Sequence, residues 1–199
     1  MSSPCTVGIA VGKGVLEVAA RPGGASIRFA GGDAGHRELL VYLQSLEPDL
    51  IVVGAAEGWE TVAIVATLAL AGLPLAVVSA ARLRALARAA GLGPAGRPGA
   101  AGLAHYGQER RPTAHRLPAE ALEGVTAQAQ RLHEIAEMIA LEEQYPLSIA
   151  AKAARGGILA HLGYLRGERA ALEEGISRLI RQSPLWQEEA GQDLEEGEA

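Results

Sequence analysis

The sequence contains one cysteine, few aromatic residues and no long uninterrupted apolar segment. The single cysteine, Cys5, excludes an intramolecular disulfide framework and fits a reducing compartment. Aromatic residues make up 4% of the chain, so a core must be built from the aliphatic side chains that dominate its 49% hydrophobic content. Residues 61–78 are apolar but are interrupted by Gly72 and Pro74, which predicts a helix and then a strand rather than a membrane span. Because residues 1–4 also lack the basic region of a signal peptide, we expect a cytoplasmic protein with no membrane partner.

Charge is distributed unevenly along the chain. The formal net charge is −5, but residues 187–199 contain six acids and no base, which predicts a disordered acidic tail. Residues 82–116 contain seven arginines and a single acid, Glu109. Since clustered arginines neutralise phosphates, this stretch is a candidate surface for weak binding of DNA or RNA, although a solvated helix face followed by a loop is the alternative. The candidate nucleic-acid-binding residues are Arg82, Arg84, Arg88, Arg97, Arg110 and Arg111.

Apolar runs and turn residues in the first part of the chain predict an α/β fold. Three short runs separated by glycine-rich turns predict a strand meander over residues 6–11, 16–20 and 25–29. Helices are then predicted at residues 36–46, 60–71 and 80–90, and strands at residues 50–53 and 75–78. The order β-β-β-α-β-α-β-α is that of the ribonuclease-H-like fold. The opening meander argues against a doubly wound sheet, in which strands and helices alternate from the beginning.

The last third of the chain predicts two long helices. Apolar residues recur at alternating spacings of three and four on both sides of Pro146, which is the heptad pattern of a coiled coil. The first seam consists of Leu122, Val125, Ala129, Leu132, Ala136 and Ile139, and the second of Ile158, Leu162, Leu165, Arg169, Leu172, Ile176 and Leu179. We expect an antiparallel hairpin that ends near Ser183, and a homodimer through residues 119–182, because two seams expose more apolar surface than one hairpin covers. The predicted units are residues 1–116, 117–186 and 187–199.

Three segments match motifs of a known nuclease family in order along the chain. Residues 7–13 (VGIAVGK) match V-G-I-D-V-S-K, residues 52–60 (VVGAAEGWE) match V-M-E-A-T-G-G-Y-E, and residues 92–104 match L-A-K-T-D-R-I-D-A-R-V-L-A. On these motifs the chain resembles the DEDD transposases, which include the bridge-RNA-guided insertion-sequence recombinases and the Piv-type invertases. The resemblance implies a RuvC-like mixed sheet with flanking helices, followed by a coiled coil. It also implies that Ala10, Gly54, Gly96 and Gly99 occupy the positions of the four acids that bind Mg²⁺ in active relatives.

Replacement of these acids removes the expected metal chemistry. Hard divalent cations need carboxylate oxygens, and a two-metal site holds its ions about 4 Å apart between several converging acids. Alanine and glycine supply no ligand. Of the nearby acids, Glu57 and Glu60 follow the strand that carries Gly54, and Glu17 supplies one carboxylate at most. We therefore predict no metal site, no cofactor and no enzymatic activity.

The predicted function follows from this resemblance. Family members continue into a second domain that supplies a nucleophilic serine, and we expect neither half of that active site here. The expected function is that of a transposase-lineage protein that persists as an inactive remnant or as a nucleic-acid-binding or interaction module. The alternative is a ribonuclease-H-like small-ligand or protein-interaction module unrelated to transposition. Residues 8–14 do not form a phosphate-binding loop, because that motif needs four residues between its glycines and a hydroxyl after the lysine.

Overall fold

The computed structural model describes residues 4–23, 25–56, 58–89, 98–144 and 155–186. Within these ranges, five strands form one mixed sheet in the order β3-β2-β1-β4-β5. The strands are β1 (Thr6–Gly12), β2 (Val15–Arg21), β3 (Ser26–Ala30), β4 (Leu50–Gly54) and β5 (Leu75–Val78). The meander β1-β2-β3 is antiparallel, whereas β4 runs parallel to both β1 and β5. Side chains that alternate along the two central strands therefore supply a core to each face of the sheet.

Helices cover both faces of this sheet. The helices are α1 (Asp33–Leu46), α2 (Trp59–Leu70), α3 (Ala80–Ala89), α4 (Ala100–Arg110), α5 (Ala119–Glu143) and α6 (Arg155–Gln182). On one face, Ile9 of β1 and Val53 of β4 pack into a large aliphatic cluster with α1, α2 and the adjoining parts of α5 and α6. On the other face, Val52 of β4 packs with Leu83 of α3 and Leu103 of α4 in a smaller cluster. The second face is the one that carries the motif positions.

The two long helices lie antiparallel to each other. Arg131 of α5 pairs with Glu168 of α6 at 3.0 Å, and Glu142, farther along α5, contacts His161, which comes earlier in α6. Close to the sheet, Val125, Ile176 and Ile180 belong to the same aliphatic cluster as the strands. Farther away, a separate group of buried side chains joins the two helices: Ile135, Ile139, Leu162 and Leu165. The antiparallel helix pair is thus present, while coiled-coil geometry and dimerisation stay predictions.

The predicted strands and the first three predicted helices are present, and none of their ends is shifted by more than three residues. Helix α4 was not predicted, since residues 92–104 were interpreted only as a motif. The buried face of α4 consists of Ala100, Leu103, Ala104 and Gly107, which follow helical spacing but are too small, apart from the leucine, to give a clear apolar stripe. Pro146 and the acidic tail lie outside the described residues.

Two further observations concern single predictions. Cys5, which excludes an intramolecular disulfide, is half-buried; that partial burial, with the nearby Asp49 carboxylate, raises the pKa of its thiol. No helix in the described ranges has the length and apolar content needed to cross a membrane.

Candidate functional site

Three of the four motif positions meet at one edge of the sheet. Parallel pairing aligns Ile9 with Val53, so the next residues, Ala10 and Gly54, lie side by side near the carboxyl ends of β1 and β4. Glu17 of β2 is paired directly with Ala10. Gly99 precedes α4, and a Cβ atom placed on it would lie 3.3 Å from Oε2 of Glu17. Ala10, Gly54 and Gly99 therefore surround one small region, which we call the motif site.

Gly96 and Arg97 lie outside the described residues, so the fourth motif position and one of the six candidate arginines have no structural placement here.

Two leucines fill the motif site. A Cβ atom on Gly54 would lie 3.2 Å from Cδ1 of Leu103 and 3.4 Å from Cδ1 of Leu83. Both leucines are at least 92% buried, and Ala10 packs against the same apolar cluster. We refer to Leu83 and Leu103 as the leucine plug. A carboxylate at position 54 would have to enter this aliphatic contact, where an ion has no water and no partner.

Two glycines bring α4 close enough for the plug to form. A Cβ atom on Gly8 of β1 would collide with the backbone of Ala100 and Ala104, so α4 lies directly against the strand. At the other end of α4, a Cβ atom on Gly107 would lie 2.7 Å from Cγ2 of Thr6. Because glycine has no side chain, it allows an approach that any other residue would block. The close approach carries Leu103 over the end of β4.

The motif site does not fit a divalent metal. Glu17, which is half-buried, is paired with Ala10 and lies next to Gly99. No group of three or more histidine, cysteine, aspartate or glutamate side chains in the described ranges is arranged to hold an ion. A site for Mg²⁺ needs several oxygen ligands at near-octahedral angles, and the aliphatic side chains around Gly54 offer none. No catalytic step can therefore be derived through a metal at this place.

The candidate arginines lie on α3 and α4. Arg82 of α3 places its guanidinium 5.7 Å from the ring centroid of Tyr106 on α4, so a cation–π contact links the two helices. Arg84 and Arg88 are exposed and lie one turn apart, but Arg84 is about 200° around the helix axis from Arg82. Arg110 and Arg111 are exposed at the end of α4. The structure thus brings Arg82 against α4 and distributes the other described candidates around the two helices.

The exposed candidates on these helices differ in ion pairing from four of the six arginines of the hairpin. Each of four hairpin arginines pairs with a glutamate in the described structure: Arg131, Arg166, Arg169 and Arg178. In contrast, Arg84, Arg88, Arg110 and Arg111 form no ion pair with another described residue, and Glu109 contacts His105 at 3.2 Å. Among the described residues, these four exposed guanidinium groups therefore have no carboxylate partner.

Comparison with known proteins gives a fold likeness and no family. No protein-family model matches the chain, and no curated protein matches it. Among solved structures, RuvC of T. thermophilus in complex with a Holliday junction substrate is similar, at 17% sequence identity and a TM-score of 0.37. The likeness covers 55% of this chain and 96% of that one. At this identity and TM-score, the likeness carries no argument about the fold or the function of this chain.

The sequence identified the motif positions but not what occupies them. Leu83 and Leu103 belong to segments that were interpreted as a basic helix and a loop motif, so neither was considered a site residue. The spacing of Ala100, Leu103, Ala104 and Gly107 was the signal for α4, and Gly8 was the signal that a backbone approaches β1 closely.

Proposed function

We propose that this chain is a non-catalytic ribonuclease-H-like protein of transposase lineage that binds DNA or RNA through the arginines of α3 and α4. The observation that carries the proposal is the leucine plug at the motif site. Residues 10, 54 and 99 were selected from three separate motif matches, and they come together in space. Their convergence supports the motif alignment, since unrelated matches have no reason to meet. The aliphatic contact around Gly54 supports loss of the metal chemistry.

Nucleic-acid binding is supported by the ion pairing of the arginines. A guanidinium already held by a carboxylate must break that contact before it binds a phosphate, as in the four hairpin pairs. The exposed arginines of α3 and α4 have no such competitor among the described residues. Because phosphate contacts carry no sequence information and are few here, binding should be weak, tolerant of sequence and strongly dependent on salt.

A fluorescence anisotropy titration tests this function. Labelled duplex and single-stranded DNA are titrated with the full chain from low to physiological salt. Two double variants remove two charges each: Arg84→Gln with Arg88→Gln, and Arg110→Gln with Arg111→Gln. The matched control is Arg166→Gln with Arg178→Gln, which removes two exposed charges from the hairpin.

The double variants of α3 and α4 should bind more weakly. Each lost phosphate contact should also lower the slope of log K against log salt by about 0.7 to 0.9. The hairpin control should behave like the wild type. Equal affinity for all three variants, or no measurable binding at low salt, would reject nucleic-acid binding by this surface.

A further inference from the structure

A cavity lies on the face of the sheet that packs against α1, α2 and the hairpin, and the proposed function does not use it. Its volume is about 400 Å³, within the range of small-ligand sites. It lies between the turns after β1 and β3, one side of α2, and the part of the hairpin nearest to the sheet. The aliphatic part of its lining consists of Leu16, Leu70, Leu132 and Ile176. Such a surface suits the apolar part of a small molecule.

The charged part of the lining has an excess of carboxylates. Asp33, Glu60 and Glu173 line the cavity, whereas Arg169 is its one permanently charged cation. Arg169 already contacts Glu173, with Nε 3.3 Å from Oε1. Neither Asp33 nor Glu60 has an ion-pair partner among the described residues. The described lining therefore carries three carboxylates and one guanidinium, and Asp33 and Glu60 are exposed to solvent.

The histidines of the lining do not offset this excess of carboxylates at neutral pH. Burial lowers the pKa of His36, although Asp33 partly opposes the shift, so its imidazole is neutral. His133 lies 3.5 Å from Glu137, a carboxylate outside the cavity lining. Burial also raises the pKa of Glu173; the Arg169 cation lowers it and the Glu60 carboxylate raises it, with a net upward shift. The upward shift of the Glu173 pKa is thus due first to burial, and the Arg169 cation does not cancel it.

An anionic ligand is disfavoured here despite two helix N-termini in the lining. Helices α1 and α2 begin at Asp33 and Trp59, and their amide dipoles alone would attract an anion. However, Asp33 and Glu60 place a carboxylate in the first turn of each helix. Trp59 is half-buried in the same lining and adds an indole ring, which attracts cations through its π face.

We propose that this cavity binds a small organic cation, in which a protonated amine is carried by an aromatic or aliphatic group. The amine lies near Glu60 and Asp33, and the apolar group lies against the aliphatic lining and Trp59. The ligand supplies the positive charge that the described residues do not. This binding is independent of the nucleic-acid surface, because α3 and α4 cover the opposite face of the sheet.

Three probes of equal size and different charge test this site: 2-phenylethylamine, 2-phenylethanol and phenylacetate. Each is titrated into the ¹⁵N-labelled full chain, and amide shifts are followed in two-dimensional NMR spectra. The amine should give saturable shifts at the glycines of the lining, which are Gly12, Gly14, Gly31 and Gly32. The alcohol should bind at least about 5-fold more weakly, and the carboxylate should not bind.

Variants locate the site. Glu60→Gln should weaken binding of the amine by about 5-fold or more, because it removes one charge and keeps the shape. Ala63→Phe should abolish binding by filling the cavity from α2. The control Glu120→Gln removes an exposed charge outside the lining and should bind like the wild type. The spectra report directly whether each variant is folded. If Ala63→Phe does not fold, the affinity of the isosteric Glu60→Gln variant for the amine tests whether the amine binds in this cavity.

The proposal is overturned by any of three results. These are an absence of saturable shifts with the amine, equal or tighter binding of phenylacetate, and unchanged amine affinity in a folded Glu60→Gln variant.

Discussion

Substitutions at Gly54 measure how well the leucine plug excludes an acid. Gly54→Ala adds one methyl group 3.2 Å from Leu103 and 3.4 Å from Leu83, at flexible side-chain ends. The tight contact lowers the free energy of unfolding by about 1 kcal/mol. Replacing glycine also reduces the entropy of the unfolded chain, which raises the free energy of unfolding by roughly 0.5 to 1 kcal/mol. The free energy of unfolding should therefore change by less than about 1 kcal/mol. Gly54→Glu instead buries an ion without a partner, at an effective cost of several kcal/mol, which is a large part of a typical stability of about 5 to 15 kcal/mol.

Urea denaturation followed by circular dichroism at pH 7.5 and pH 4.5 separates charge from size. Burial should raise the folded-state pKa of the introduced glutamate above its unfolded value of about 4.3. Its destabilisation is then complete above the folded-state pKa and decreases as the pH falls toward the unfolded value. Gly54→Gln has the same shape without the charge and should show no such dependence on pH. The reasoning is refuted if Gly54→Glu is as stable as Gly54→Ala at both pH values.

Three further predictions concern packing, charge and assembly. Gly8→Ala should cost about 3 kcal/mol or more of unfolding free energy, because the methyl group meets the backbone of α4, whereas Gly163→Ala, with nothing within 4 Å, should stabilise by up to about 1 kcal/mol. Burial raises the pKa of Glu173, so its ionised form destabilises the folded chain at neutral pH, and Glu173→Gln should raise the melting temperature there. This gain in melting temperature should disappear as the pH falls below 4.5, where the carboxyl group is protonated. A lower melting temperature of the variant at neutral pH would contradict the prediction. The exposed Leu159 and Tyr164 of α6 are candidates for the contact in a homodimer of the hairpin. Light scattering should therefore give a dimer that dissociates when both residues are changed to glutamate. A monomeric wild-type chain would exclude this assembly.

Most of the sheet could be predicted because its local signals are strong. The strands are Val-, Ile- and Leu-rich runs bounded by glycine or proline, and β5 was predicted with the observed ends. Helix α4 gave a weaker signal because its buried face must be small to lie against Gly8. In the hairpin, the heptad pattern missed Ile180, which is fully buried in the cluster that it shares with the sheet, since the seams predict contact between two helices only. The pattern also missed Ile135, which is fully buried between the two helices.

The candidate sites depend on contacts that a sequence pattern does not contain. The motif resemblance implied that Ala10, Gly54 and Gly99 share one site, and these three residues lie at one edge of the sheet. The leucine plug comes from two helices that pack across the motif site, so its residues could not be assigned from their own segments. The cavity depends on residues that are still farther apart in the sequence. Glu60 and Glu173 are separated by more than half of the chain and come together only when the hairpin packs on α2.

The most direct test of the central claim is a cleavage assay with the purified full chain. Labelled duplex and four-way-junction DNA are incubated with Mg²⁺ or Mn²⁺, and with EDTA as the metal-free control. Because leucines lie against Gly54 and no group of three or more potential ligands is arranged to hold a metal in the described ranges, we predict no metal-dependent product from either substrate. Metal-dependent cleavage that is lost in Glu17→Gln would contradict the account, because it would place a working metal site where the plug excludes one.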